Sequence, residues 1–406
     1  MLVRRKRRKI LWGCAALLLL LIPAALALPW LLYRIAHARL EKAVGPLRAE
    51  GFVLPTAPPT AAGPRLLAAT RRVQLSEPET KLLGKSSREG LSAALANRPQ
   101  LMALFAKNRE PLQQACSLEA GPSSLNIDYI VEDAELPNFL PELFLARMTY
   151  LQGLLALKDH DHAAVAHAAR CLSTHAALLE KEPALIVQVI GLSVEKLQIR
   201  LLVQASAEPP AAQESDLSRS LPANDLRERY RQALALSATQ LDRGIHSMLE
   251  KLGTKLTEGD DEENQGALAV GTFAGRWIGK SLGAAALDRY RLHAAAYDHD
   301  YAWIHHHLVR DPKEMSFWEK AGRIGGPAFD DLPATYRATA AARELLTACL
   351  AARSSAFSCG ADHGRLRSVR NPDGSCTLRT ADARDYLRFF GSSGHPVPQE
   401  CTVPAR

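Results

Sequence analysis

The chain has 406 residues and a formal charge of +7, and six of those charges are one run, Arg4-Arg5-Lys6-Arg7-Arg8-Lys9. The nearly neutral remainder has no electrostatic case for binding nucleic acid, where affinity rests on neutralising phosphates. Abundant Ala and Leu with only 6% aromatic residues favour helices, and the length admits one large domain or two.

Residues 1–9 read as a cytoplasmic basic segment that can also touch anionic headgroups. Ile10 to Tyr33 follows without a charge and is long enough for a transmembrane helix, with Trp30 and Tyr33 as interface aromatics. A rival reading is a secretory leader cleaved near Ala27, since Pro23 and Ala25-Leu26-Ala27 suit one. We read the run as an uncleaved anchor of a bacterial inner membrane. Either reading sends residues 41–406 to the periplasm. Residues 34–64 form a stalk and linker, bent at Gly45-Pro46 and extended through Pro55, Pro58, Pro59 and Pro64.

Residues 65–352 are expected to form a helical periplasmic domain. Helical patterns run from Pro64 to Gln74, from Glu77 to Leu83 and from Arg88 to Ala115; Leu125 to Val131 reads as a short strand or extended connector. The strongest periodicity lies between Pro141 and Gln204. Three helices are predicted there, separated by Lys158–His162 and by Glu182-Pro183, the third spanning Ala184 to Val203. The region from Leu143 to Leu202, with Leu-Leu-Ala-Leu-Lys-Asp-His-Asp-His-Ala-Ala and Glu-Pro-Ala-Leu-Ile-Val-Gln-Val-Ile, resembles a helical core of uncharacterised single-pass bacterial envelope proteins. That resemblance implies the fold and carries no catalytic residue. The Leu151–Leu172 hairpin also looks like one tetratricopeptide unit, but no second copy follows at a fixed period.

Residues 205–223 are a second linker, and Asn224-Asp225 can cap a long helix from Leu226 to about Leu256. Asp260-Asp261-Glu262-Glu263 lacks the alternation of a calcium loop and reads as solvated. Ala274, Gly279, Lys280 and Ser281 fit a relaxed phosphate-loop pattern, yet the surroundings are helical and no second acidic site accompanies them, so no nucleotide is expected. Gly271, Gly275, Gly279 and Gly283 recur every fourth residue, which on a helix makes a flat face for close helix approach. A glycine-containing loop is the other reading.

Leu287 to Leu308 reads as one helix carrying His293, Asp298, His299, Asp300, His305, His306 and His307. Its His293, Asp300 and His307 would be about 10.5 Å apart in succession, too far to share an ion. His167, Cys171 and His175, at i, i+4 and i+8, are better spaced for zinc, and Cys171 is equally suited to a disulfide with Cys116. No catalytic residue or cofactor is assigned.

A final helix is predicted from about Pro333 to Ala352. Residues 353–406 form a cysteine-containing tail, with Leu366–Val369 and Cys376–Leu378 pairing across Asn371-Pro372-Asp373-Gly374. Beyond Cys14, the six cysteines 116, 171, 349, 359, 376 and 401 suit an oxidising space, the last four stapling the tail, with Cys359–Cys376 the best single pair.

The fold expectation is mainly α: an anchor helix, an irregular helical-hairpin ectodomain and a small hairpin-like tail. The function expected is a non-catalytic scaffold or adaptor that contacts the bilayer and an envelope protein partner. The alternatives are a metal-dependent periplasmic hydrolase using His167, Cys171 or the 293–307 histidines, or a ligand-binding sensor domain.

Overall fold

A computed structural model describes residues 27–28, 30–38, 61–119, 124–127, 137–206, 225–254, 262–309, 311, 313, 315, 330–354, 359, 365–390 and 397–403. The basic run and most of the apolar run at 10–33 lie outside these residues, as do most of both predicted linkers and the last part of the connector predicted at 125–131. Among the described residues, no helix is long and apolar enough to cross a membrane. The described chain is mainly helical and divides into two compact units that cut across the linear blocks expected from sequence. One comprises residues 51–236, 296–309 and 331–406; the other comprises 1–50, 237–295 and 310–330.

The first unit is built on three consecutive helices. In chain order its helices are α1 (Ala62–Thr70), α2 (Glu77–Glu89), α3 (Leu91–Ala96), α4 (Arg98–Lys107), α5 (Arg109–Cys116), α6 (Leu140–Lys158), α7 (His162–Glu180) and α8 (Leu185–Ser206). The predicted helix over 88–115 is three short ones. Pro99 and Pro111 sit near the starts of α4 and α5, where a missing N–H costs nothing, and each forces the preceding helix to end. Buried Asn108 holds the second break. Its Oδ1 accepts from Gln74 N at 2.8 Å and its Nδ2 donates to Gln74 O at 3.1 Å. Upstream, Ser76 and Glu79 close a capping box on α2.

Helices α6, α7 and α8 form where predicted, with Leu151, Leu154, Val165, Leu172, Val194 and Leu201 all buried, although Ile186 at the start of α8, expected to face inward, is exposed. Asp161 caps α7 by accepting from Ala164 N at 3.0 Å. Gly153 marks a close approach of these helices: a Cβ there would lie 2.7 Å from Leu201 Cδ2 and 3.1 Å from Ala168 Cβ. From α8, the Arg200 guanidinium donates to Ser87 O and Arg88 O at 2.9 and 3.0 Å, satisfying orphan carbonyls at the end of α2. Cys116–Cys171 ties α5 to α7.

Further along, α9 (Leu226–Thr254), α10 (Glu262–Ala296), α11 (Tyr301–Leu308) and α12 (Leu332–Ser354) follow. The helix predicted across 287–308 is therefore broken. Asp300 adopts an extended backbone and accepts from Trp303 N at 2.7 Å, starting α11 afresh. The tail is more than the predicted hairpin. It comprises β1 (Leu366–Arg370), β2 (Cys376–Thr380), α13 (Ala383–Phe390) and β3 (Glu400–Val403), with strands in the antiparallel order β1-β2-β3. Leu345, Cys349, Leu366, Leu378, Cys401 and Val403 form one apolar cluster that joins α12 to this sheet. Cys349–Cys401 crosses the cluster, and Cys359–Cys376 closes a shorter loop beside it. The tail is thus integral to the first unit.

In the second unit, residues 30–38 are helical and approach the segments of α9 and α10 that belong to it. Gly283 is buried at the meeting point: a Cβ would lie 2.6 Å from Ile245 Cδ1 and 3.2 Å from Tyr33 Cε2. Gly279 is also buried, Gly275 is half-buried, and the side-chain position of Gly271 lies outside the described residues. Tyr33, read above as an interface aromatic, instead packs within the unit at 8% exposure, whereas Leu28, Trp30, Leu31, Leu32 and Ile35 stay substantially exposed. Arg289 forms an ion pair with Asp330, and His293 Nε2 lies 3.7 Å from the same carboxylate.

Candidate binding groove and buried charge centre

The sequence-predicted metal candidates do not converge. Cys171 is spent in its disulfide, His167 is exposed, and His175 is buried with its Nε2–H donating to Ala115 O at 3.2 Å. Burial pushes the His175 imidazole down to about 4, so it is neutral at ordinary pH. The broken helix separates the downstream histidines. His299 and His307 stack on the two faces of Trp303, at centroid distances of 3.9 and 4.1 Å. No group of three His, Cys, Asp or Glu among the described residues is placed to hold a metal ion. Lys280 and Ser281 lie in the middle of α10, where backbone N–H groups are committed to the helix.

What the first unit does present is a groove of about 780 Å³ where the start of α9, residues 297–298, α12 and the open end of the β1-β2 hairpin meet. Its charges come from four separate elements. Asp225 caps α9 by accepting from Arg227 N at 2.9 Å, while the Arg227 guanidinium pairs with Asp298 at 2.7 Å. Arg337 on α12 pairs with Asp382 at 3.1 Å, donates to His299 O, and lies 5.1 Å from the Tyr301 ring centroid. Tyr297 also lines the groove, its phenol pushed up by burial and then by the Asp225 charge. At the rim, Glu344 and Arg365 are exposed and form no ion pair among the described residues.

Beneath the groove, Arg343 reaches down from α12 between Glu180 of α7 and Glu195 of α8. Both carboxylates are buried, at 2% and 0% exposure. Beside them, buried Tyr336 donates its O–H to Gln188 Oε1 at 2.9 Å, and Gln188 Nε2 donates to Glu182 O at 2.9 Å. Lys196, next to Glu195, is held down to about 8 by desolvation, against the pull of Asp331 and Glu195. This network binds α7, α8 and α12 together and fixes the groove floor. Sequence reasoning missed it, although a signal was present. Gln188 and Glu195 fall seven residues apart on α8, amid a buried stripe where polar residues need buried partners.

A second acidic pair lies at the start of α6. Glu142 is 1% exposed and neither carboxylate oxygen has a hydrogen-bond partner among the described residues, while buried Glu182 accepts from Leu125 N at 2.6 Å. Burial, then the Glu182 charge, pushes Glu142 up to about 8. A raised carboxyl favours the fold below its unfolded value and loses that contribution as pH climbs to the folded value. His175 acts oppositely: its depressed value removes stability as pH falls from 6.5 toward 4. The two slopes oppose each other between pH 4.5 and 6.5, and from 6.5 to 8 the raised Glu142 carboxyl contributes a fall of about 1 kcal/mol per pH unit. We therefore expect urea-unfolding stability to fall by about 2 kcal/mol between pH 6.5 and 8, and Glu142→Gln to abolish that fall. An unchanged slope in the variant would show that Glu142 ionises normally.

Comparison with known proteins finds no matching family model, no matching curated protein and no matching solved structure.

Proposed function

We propose that this chain is a membrane-tethered helical scaffold of the bacterial cell envelope, whose mainly periplasmic bulk docks a protein partner at the charged groove. The observation that carries this reading is the pairing inside the groove. Arg227, Arg337 and Arg343 are each held by acids from other elements, which builds a fixed charge pattern suited to recognition. The rim charges Glu344 and Arg365, without an ion pair among the described residues, then supply one contact of each sign. Three cystines in the first unit and the cationic, apolar leader in the sequence support an oxidising compartment beyond a membrane.

Crosslinking pull-down from membranes tests the reading. The native chain should capture a specific envelope protein, and the Glu344→Lys/Arg365→Glu variant should lose it while keeping its circular dichroism. Capture that is unaffected by the double exchange would remove the groove from the account. A stoichiometric zinc ion retained after dialysis would favour the hydrolase reading instead.

A further inference from the structure

The helix at residues 30–38 has two apolar sides, and only one is used within the second unit. Tyr33 and Ala36 are 8% and 1% exposed. Tyr33 lies over Gly283 of α10, where a Cβ would be 3.2 Å from its Cε2 and 2.6 Å from Ile245 Cδ1 on α9. The other side is made of Leu31, Leu32 and Ile35, exposed by 48, 46 and 39%, with Leu28 at 52%. At roughly 100° per residue these four, spaced i, i+3, i+4 and i+7, fall on one stripe about 120° round the helix from Tyr33 and Ala36.

What covers this outer stripe follows from three features. The stripe continues the run of residues 10–33, which carries no charge, and His37, Arg39, Glu41 and Lys42 end the apolar character within about two turns. The Arg34 guanidinium lies 5.5 Å from the Trp30 ring centroid, and a tryptophan paired with a cation suits the headgroup boundary. Side-chain size is the third feature. Helices that meet within lipid close on small residues, and the small ones here, Ala36 and Gly283, are buried on the inner side. The outer stripe is leucine and isoleucine throughout, which conforms to acyl chains and offers no flat seat for a further helix.

We infer that the stripe of Leu28, Leu31, Leu32 and Ile35 lies against the acyl chains of a lipid bilayer while the Tyr33–Ala36 side holds α9 and α10. The second unit then sits directly at the membrane surface, with no free stalk between them. This inference rests on the membrane-tethered reading above, and adds which unit meets the bilayer and through which side chains.

The test places a photoreactive p-benzoylphenylalanine singly in the full chain, reconstituted in nanodiscs of phosphatidylethanolamine and phosphatidylglycerol, with adducts read by mass spectrometry. At Leu28, Leu31, Leu32 and Ile35 the probe should form phospholipid adducts. At Tyr33 it should instead link to peptides within residues 237–295. A probe at Ile245 leaves Tyr33 in place and should link to residues 30–38, which keeps the contact testable if the Tyr33 exchange disturbs packing. A chain that enters the discs but gives links between copies at the four outer positions would overturn the inference and leave the tether standing. So would phospholipid adducts at Tyr33 together with no link from Ile245, since the helix would then be immersed and undocked. A chain that does not enter the discs at all would remove the tether reading, and this inference with it.

Discussion

Arg343→Ala lowers the stability of the first unit by about 3–5 kcal/mol, because it leaves two buried carboxylates without their cation. Glu180 and Glu195 come from different helices, at 2% and 0% exposure, and Arg343 is the group through which α12 engages both. Small surface pairs such as Lys81–Glu77 offer a contrast: that pair is largely exposed and contributes about 0.5 kcal/mol at most. The loss at Arg343 comes from stranded charge and not from lost packing, and this can be separated. Adding Glu180→Gln and Glu195→Gln to the Arg343→Met background should recover about 2 kcal/mol, since neutral amides tolerate the site far better. Urea unfolding followed by far-UV circular dichroism reads both. A loss below about 1 kcal/mol for Arg343→Ala would mean that the centre admits water and does not organise the groove floor.

Removing Cys116–Cys171 through a double serine exchange should cost about 4 kcal/mol, since the bridge closes a loop of 55 residues and constrains the unfolded chain accordingly. Cys349–Cys401, with a separation of 52, should cost about the same. Cys359–Cys376 spans only 17 and should cost about 1 kcal/mol less than either. The ranking is the sharper expectation, because loop length sets it while common factors cancel. Thermal unfolding of the three double variants at one pH measures it. A reversed order would place the stabilising effect of these bridges in native packing around Thr149 or the α12 cluster.

Local pattern and tertiary pairing were unequally readable in this chain. The stripes through Val165–Leu179 and Ile190–Leu201 announce helices because burial imposes a period of 3.6, and those helices appear where expected. The turn at Asn371–Gly374 and the pairing across it were equally legible. Where Pro99 and Pro111 break a pattern, the periodicity of Leu101, Leu104 and Leu112 continues through the break, so one helix was read for three. Asp300 was counted among potential ligands, although its spacing to Trp303 suits a cap. The third strand carries too few residues to declare a period, whereas α13 does carry a helical stripe, Ala383, Tyr386 and Phe390, that the sequence reading passed over.

The groove was harder to anticipate. Arg337, Asp382, Arg227 and Asp298 lie far apart in sequence, and nothing local distinguishes them from solvated charges. Only Glu195 and Gln188, embedded among buried apolar neighbours, signalled that an opposite charge must arrive from elsewhere. The cysteines were more legible among long-range features: Cys359–Cys376 was the single pair expected and is present, while Cys171, weighed between a disulfide with Cys116 and a metal site, is in the disulfide.

The most direct test concerns the space in which residues 41–406 reside. Intact cells expressing the native chain are treated with a membrane-permeant alkylating reagent, quenched, and digested for mass spectrometry. The account predicts that Cys116, Cys171, Cys349, Cys359, Cys376 and Cys401 remain unlabelled until reduced, and that peptides linked 116–171, 349–401 and 359–376 are recovered. Full alkylation of these six without prior reduction would place the chain in a reducing compartment and contradict both the anchor's orientation and the envelope role.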